Sequence, residues 1–347
     1  MENLGAMLTA EKKIEFMPLP MPQVGDDDVL VEIKHVGLCG SDVSVFKDPT
    51  LGGMFPDLPL PILLGHECAG KVIALGKNVT TLSLGDLVAL EPGVPCGHCD
   101  FCMSGRYNLC NDVLFMAAPP WKTGALCKYV SHPASRTFRL PDNMDTIEGA
   151  LMEPLAVGMH AALQAQANPC KNAVIVGGGC IGLMTALSCK ACGISNLAVA
   201  DLFEPHLEVA KGLGIPHLIN SSKEDLRQQV MELTQGQGAD LVFETAGSPI
   251  TAAATTKLVK RGGDIILVGN IHAPVDFNFW EISFNENRIL TIFRYKNLYP
   301  SAITAVSNGL INVKPLATHV FKFQNTQEAF MEALMDKEHS IRVIVEL

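Results

Sequence analysis

Between Val29 and about Thr137, apolar and polar positions alternate in short runs: Val29-Leu30-Val31-Glu32-Ile33, Gly70-Lys71-Val72-Ile73-Ala74 and Asp86-Leu87-Val88-Ala89-Leu90. Alternation of this kind, punctuated by Pro59-Leu60-Pro61 and Pro92-Gly93, predicts a half built mostly of β-strands. After Asp145 the period lengthens. Glu148-Gly149-Ala150-Leu151-Met152-Glu153-Pro154 opens a stretch with helical spacing through Leu163, which predicts one long helix joining two halves. From Asn172 onward the apolar runs are continuous rather than alternating: Ala173-Val174-Ile175-Val176, Leu197-Ala198-Val199-Ala200, Leu241-Val242-Phe243 and Ile265-Ile266-Leu267-Val268. Strands of that composition, separated by helix-length sequence, predict a parallel sheet covered on both faces.

This doubly wound domain is expected to occupy residues 155–287. Residues 1–154 and 288–347 form the other domain, which ends with a helix over Thr326–Met335 and a returning strand over 341–347. A chain of 347 residues with 48% apolar and 18% charged residues readily supplies two such cores. The net charge of −10 argues against nucleic acid and anionic membrane as partners, since both require a basic face. The 17-residue charge-free run from Ala173 to Cys189 is shorter than the about 20 residues a bilayer span needs, and contains four glycines. Met1-Glu2-Asn3-Leu4, soon followed by Glu11-Lys12-Lys13, lacks the basic start and apolar core of a secretory signal, so a cytoplasmic location is expected. In that compartment the 11 cysteines read as thiols and metal ligands rather than disulfides.

Gly177-Gly178-Gly179-Cys180-Ile181-Gly182 follows the first continuous strand and satisfies G-x-G-x-x-G. Gly177 permits a tight turn, Gly179 lets backbone approach a pyrophosphate, and Gly182 allows close helix–strand packing. The second strand runs into Asp201, where a carboxylate accepts from the adenosine ribose hydroxyls and repels a 2′-phosphate, so NAD is the expected cofactor. His206 lies just downstream and is expected on a helix surface.

Cys96-x-x-Cys99-x-x-Cys102-x7-Cys110 places four thiolates in one turn-rich segment. Four sulfur donors with no open position describe a structural zinc that holds a loop lacking its own core. A second, catalytic zinc needs three protein ligands and a free position. Cys39, His66, Glu67 and Glu153 carry suitable donors but are scattered along the chain.

The order of Gly65-His66-Glu67, the four-cysteine lobe and the glycine turn resembles the medium-chain zinc alcohol dehydrogenases over essentially the whole length. Met152-Glu153-Pro154-Leu155-Ala156-Val157-Gly158, Phe293-Arg294-Tyr295-Lys296-Asn297 and Asn312-Val313-Lys314-Pro315-Leu316 resemble the sorbitol and xylitol dehydrogenase branch most closely, as do Glu91-Pro92-Gly93 and Gly105-Arg106-Tyr107-Asn108-Leu109. The resemblance implies an α/β fold with a GroES-like catalytic domain and a Rossmann domain. It implies two zinc ions per subunit, the catalytic one held by Cys39, His66 and either Glu67 or Glu153. Ser41 and Glu153 are implied to handle the substrate proton, and Phe115, Phe293, Arg294 and Tyr295 to contact substrate. Ile181, Val268, Gly269 and Asn270, with Phe293 and Arg294, are implied to join Gly177, Gly179, Gly182, Asp201 and His206 at the cofactor. The resemblance further implies a homo-oligomer, a tetramer in preference to a dimer. Ser44, Val45, Ala118 and His206 depart from residues common in the branch, the first three at positions implied to border the substrate.

The implied chemistry is oxidation of a secondary alcohol of a sugar alcohol to a ketose. A zinc ion with an open position lowers the pKa of bound water from about 16 to about 7, and an alcohol oxygen is acidified in the same way. The carbon then gives hydride to nicotinamide. A dehydrogenase of a phosphorylated polyol or of L-threonine is the enzymatic alternative, and a catalytically silent dinucleotide-binding protein the non-enzymatic one.

Overall fold

The computed structural model describes residues 2–121 and 123–347. The chain forms two compact units. The first runs through Glu153 and includes Tyr299–Ser307 and Ala317–Leu347; the second comprises Pro154–Leu298 and Asn308–Leu316.

In the first unit a seven-stranded sheet is ordered Thr137–Arg139, Leu87–Leu90, Glu67–Leu75, Asp28–Gly37, Arg342–Glu346, Ala317–Lys322, with Tyr129–Pro133 also paired to Asp28–Gly37. The alternating segments predict these strands because one face of each must be buried: Val29, Val31, Ile33, Val72, Val88 and Leu90 are all shielded from solvent. The C-terminal strand does rejoin this sheet, pairing Ile344 with Gly37 antiparallel. The helix Thr326–Met335 covers it and stacks Phe330 on Phe46 at 4.8 Å, fixing the helix Gly40–Lys47 against the core.

In the second unit six parallel strands are ordered His217–Asn220, Leu197–Asp201, Ala173–Val176, Ala239–Glu244, Val259–Leu267, Arg288–Thr291. The first strand in sequence lies at the centre, so the chain winds outward in both directions, the order that creates a ligand crevice where the direction reverses. The unit does not end at residue 287 as expected. Arg288–Thr291 adds a sixth strand, and Arg288 grips Asp264 of its neighbour through two 2.6 Å hydrogen bonds. Arg-Ile-Leu-Thr is too short and too exposed to announce a strand by its apolar pattern.

The expected single joining helix is two. Thr146–Ala150 opens with Asp145 accepting from the amides of Ile147 and Glu148, and Met152–Gln164 follows after a break at Leu151. Pro154 sits in the first turn of the second helix, where its missing N–H costs nothing. No helix among the described residues is long and apolar enough to cross a membrane.

Candidate active site

Cys39 occupies the N-cap of the helix Gly40–Lys47. Three residues on, the buried Asp42 turns its carboxylate back: Oδ2 accepts from the Cys39 amide at 3.2 Å and Oδ1 from the Gly65 amide at 3.1 Å. Gly65 directly precedes His66, so one carboxylate ties together two segments distant in sequence. Gly65 adopts φ +90°, a left-handed conformation open to glycine, and a Cβ there would press into Val36. The chain then enters the strand Glu67–Leu75, where Glu67 lies opposite Gly37. A side chain at Gly37 would collide with Glu67 Oε2, so this glycine makes room for the carboxylate.

As a result, one ligand atom from each of Cys39, His66 and Glu67 lies within 4.8 Å of the others. Glu153, buried in the first turn of Met152–Gln164, stands outside this group. Glu67 Oε2 is buried without a hydrogen-bond partner among the described residues. A carboxylate oxygen left unpaired in this way ordinarily costs a fold stability. A thiol, an imidazole and a carboxylate that converge match the three-protein-ligand donor set of a catalytic zinc. Burial pulls the His66 pKa down, but Asp42 and Cys39 outweigh it and hold it well above the usual imidazole value. The field that would retain a proton here is the field that retains a dication, and metal binding leaves the ring neutral.

Two partners of this cluster carry no functional mark in the sequence. Asp42 Oδ2 lies 3.4 Å from His66 Nδ1, the place of a carboxylate that orients a ligating histidine. Its one signal is the spacing of Cys39 and Asp42, which matches a helix-start capping box. Arg342 Nη2 lies 3.3 Å from Glu67 Oε1, while Nη1 donates to the Leu38 carbonyl. Nothing local in the C-terminal strand marks that arginine, because pairing of distant strands brings it there. The Phe115 ring lies 5.4 Å from the His66 ring, and Ser41 is exposed on the first helical turn after Cys39.

The four-cysteine lobe forms as well. Cys99 Sγ lies 3.5 Å and Cys96 Sγ 3.9 Å from Cys102 Sγ. A tetrahedron with metal–sulfur distances of about 2.3 Å has edges of about 3.8 Å. Cys96 Sγ accepts from the Cys99 amide and Cys110 Sγ from the Cys96 amide, which stabilises thiolates. The described residues include all 11 cysteines, and none of them forms a disulfide. The lobe is anchored by Tyr107, which donates to the buried Glu91 at 2.6 Å, while Arg136 lies 3.2 Å from the other Glu91 oxygen and over the Tyr107 ring.

In the second unit the glycine turn lies at the reversal point of the sheet, between strand Ala173–Val176 and helix Cys180–Ala191. Gly177 has φ +108°, and a Cβ on Gly182 would strike the Gly177 carbonyl. Gly179 caps the helix without a side-chain hydrogen bond, and a helix N-terminus of this kind is suited to receive an anion. Asp201 Oδ2 accepts from the Gly178 amide at 2.5 Å and Oδ1 from the Phe203 amide at 2.9 Å, and Oδ1 keeps a lone pair for a ribose hydroxyl. Burial would raise the Asp201 pKa, but the nearby His206 imidazole and these two amides outweigh it and hold the carboxyl below its ordinary range. His206 is not on the surface as expected. It is buried, its Nδ1 3.4 Å from Asp201 Oδ2, because its helix turns that face onto the strand Leu197–Asp201. Ile181, Val268, Gly269 and Asn270 belong to the same unit, as do Phe293, Arg294 and Tyr295. The Arg294 guanidinium stacks over the Phe293 ring at 4.8 Å, on a backbone with φ +54°.

The fold and these sites define a class: a dehydrogenase with one metal-ligating unit and one dinucleotide-binding unit. The sequence matches the alcohol dehydrogenase GroES-like domain over residues 25–142 and the zinc-binding dehydrogenase family over residues 180–308. It is 45% identical over 349 residues to an uncharacterized zinc-type alcohol dehydrogenase-like protein, YdjJ, of Escherichia coli K12, covering 100% of this chain and 99% of that one. It is 37% identical to the sorbitol dehydrogenase of Bacillus subtilis, covering 98% of this chain and 96% of the relative. The fold superposes with a TM-score of 0.96 on a crystal structure of an Escherichia coli oxidoreductase/dehydrogenase of unknown specificity, at 44% identity over 100% of this chain and 99% of the other. The chain therefore belongs to the zinc-containing medium-chain alcohol dehydrogenases, in their polyol dehydrogenase branch. It is an alcohol oxidoreductase that works with zinc and a nicotinamide cofactor.

Proposed function

We propose that this enzyme oxidises a secondary alcohol of a sugar alcohol to a ketose and passes the hydride to NAD. The observation that carries the reading is the convergence of Cys39, His66 and Glu67 within 4.8 Å. In this reading Glu67 rather than Glu153 is the direct carboxylate ligand, and Cys96, Cys99, Cys102 and Cys110 hold a second, structural zinc. When bound, the catalytic metal supplies a Lewis acid that acidifies an alcohol oxygen, and the nicotinamide supplies a hydride acceptor.

The residues of the chain do the rest. Asp42 holds the Cys39 and His66 segments in register. Ser41 takes the hydroxyl proton and passes it outward from its exposed position, with Glu153 as a further acceptor. Phe115 shields the His66 side of the site from water. The planar guanidinium of Arg294, braced by Phe293, reads two vicinal hydroxyls at once, and Tyr295 adds a contact to the same substrate. Gly177, Gly179, Ile181 and Gly182 admit the pyrophosphate to the helix end. Asp201, kept ionised, favours NAD over NADP, with His206 beside it, and Val268, Gly269 and Asn270 receive the nicotinamide end.

The test is NADH formation across sorbitol, xylitol, galactitol, L-threonine and the phosphorylated polyols. Turnover of at least one unphosphorylated polyol well above L-threonine is expected. A profile flat for every polyol would refute the reading.

A further inference from the structure

Glu244 ends the strand Ala239–Glu244, which pairs directly with the strand that feeds the glycine turn. Its side chain is fully buried. Oε1 accepts from the Gly247 amide at 2.9 Å, from the Ser248 amide at 3.4 Å and from the Thr251 hydroxyl at 2.7 Å. Three donors on one oxygen is the pattern of a carboxylate. Its backbone carbonyl meanwhile accepts from both Val268 and Gly269 amides at 2.9 Å. One residue thus fixes two consecutive loops, 245–251 and 268–270.

Oε2 is different. It is buried with no hydrogen-bond partner among the described residues, and it points at Gly269: a Cβ built there would lie 2.6 Å from it. A buried carboxylate oxygen without a partner costs stability unless a compensating charge arrives. The loop it presses against is the one assigned above to the nicotinamide end, and oxidised nicotinamide is a cation whereas the reduced ring is neutral. On the strength of that cofactor reading, we propose that Glu244 is a positioning residue for the nicotinamide loop whose buried negative charge makes the site prefer the oxidised over the reduced dinucleotide. The charge lowers the energy of NAD+ in the site and leaves NADH nearly unaffected, so the redox poise of the bound cofactor shifts toward the oxidised form.

Equilibrium titration of the whole, zinc-loaded protein with NAD+ and with NADH tests this without turnover. In Glu244→Gln the ratio Kd(NAD+)/Kd(NADH) should rise on the order of tenfold, the factor Coulomb's law gives for unit charges about 12 Å apart at an effective dielectric constant of about 20. In Glu244→Asp, which draws the charge back by one methylene, the ratio should rise in the same direction by a smaller factor, so the second variant carries the test if the first does not fold. A purely structural role predicts that both affinities fall together, and an unchanged ratio in a folded variant overturns the proposal. Failure of the wild-type protein to bind either dinucleotide would instead overturn the cofactor reading beneath it.

Discussion

Removing one hydroxyl, in Tyr107→Phe, tests how the cysteine lobe is fastened to the first unit. Tyr107 donates to Glu91 Oε1 at 2.6 Å, and Glu91 is only 3% exposed. The phenylalanine ring keeps its place under the Arg136 guanidinium, 4.1 Å from the ring centre, so packing is preserved and a hydrogen bond to a buried carboxylate is lost. Such bonds contribute about 1.5–3 kcal/mol, and a domain of this size loses about 2–4 °C of melting temperature per kcal/mol. A drop of roughly 3–12 °C at neutral pH is therefore expected by differential scanning calorimetry of the zinc-loaded protein, with zinc content unchanged. Burial raises the Glu91 pKa, and Tyr107 and Arg136 partly pull it back, so the variant pushes it higher still. The deficit should accordingly be largest where Glu91 is ionised and shrink as acid protonates it. A melting temperature within 1 °C of wild type at neutral pH would show that the lobe is not held through Glu91.

Other outcomes follow from the same structure. His132 is buried with its pKa pulled down to about 4. The folded state therefore binds fewer protons than the unfolded one between about pH 6.5 and 4, and stability falls as pH drops through that window. At pH 5 the loss is about 2 kcal/mol, read as a urea midpoint that His132→Gln leaves less pH-dependent. Cys102→Ser should lower zinc content and melting temperature while sparing turnover of the zinc-loaded fraction; normal zinc content and melting temperature would count against a structural lobe. Asp42→Asn should weaken retention of the catalytic metal by roughly ten- to a hundredfold in a chelator competition. Unaltered retention would remove Asp42 from the support of the site.

Much of this architecture is legible in the order of residues alone. Period-two runs around Val31 and Val72 mark the first sheet, continuous runs such as Ala173–Val176 the second, and the cysteine spacing the lobe. Each of these signals is local. The features that carry no such signal are set by tertiary pairing. Arg288–Thr291 becomes a strand because Asp264 waits beside it, and Arg342 reaches Glu67 only through the pairing of the last strand with Asp28–Gly37. His206 reads as exposed yet is buried, since a lone helical histidine carries no periodic context to say which face it occupies. Spacing likewise does not bring Glu67 rather than Glu153 beside Cys39 and His66; the strand pairing that sets Glu67 opposite Gly37 leaves room for its carboxylate there.

The proposed role of Cys39, His66 and Glu67 is to hold the metal that acts on the alcohol. It is tested most directly by measuring zinc per chain together with polyol oxidation and NADH binding in Cys39→Ser. Zinc should fall from two per chain to one, polyol oxidation should be lost, and NADH should bind nearly as in wild type. Retention of both zinc ions with undiminished turnover would contradict it.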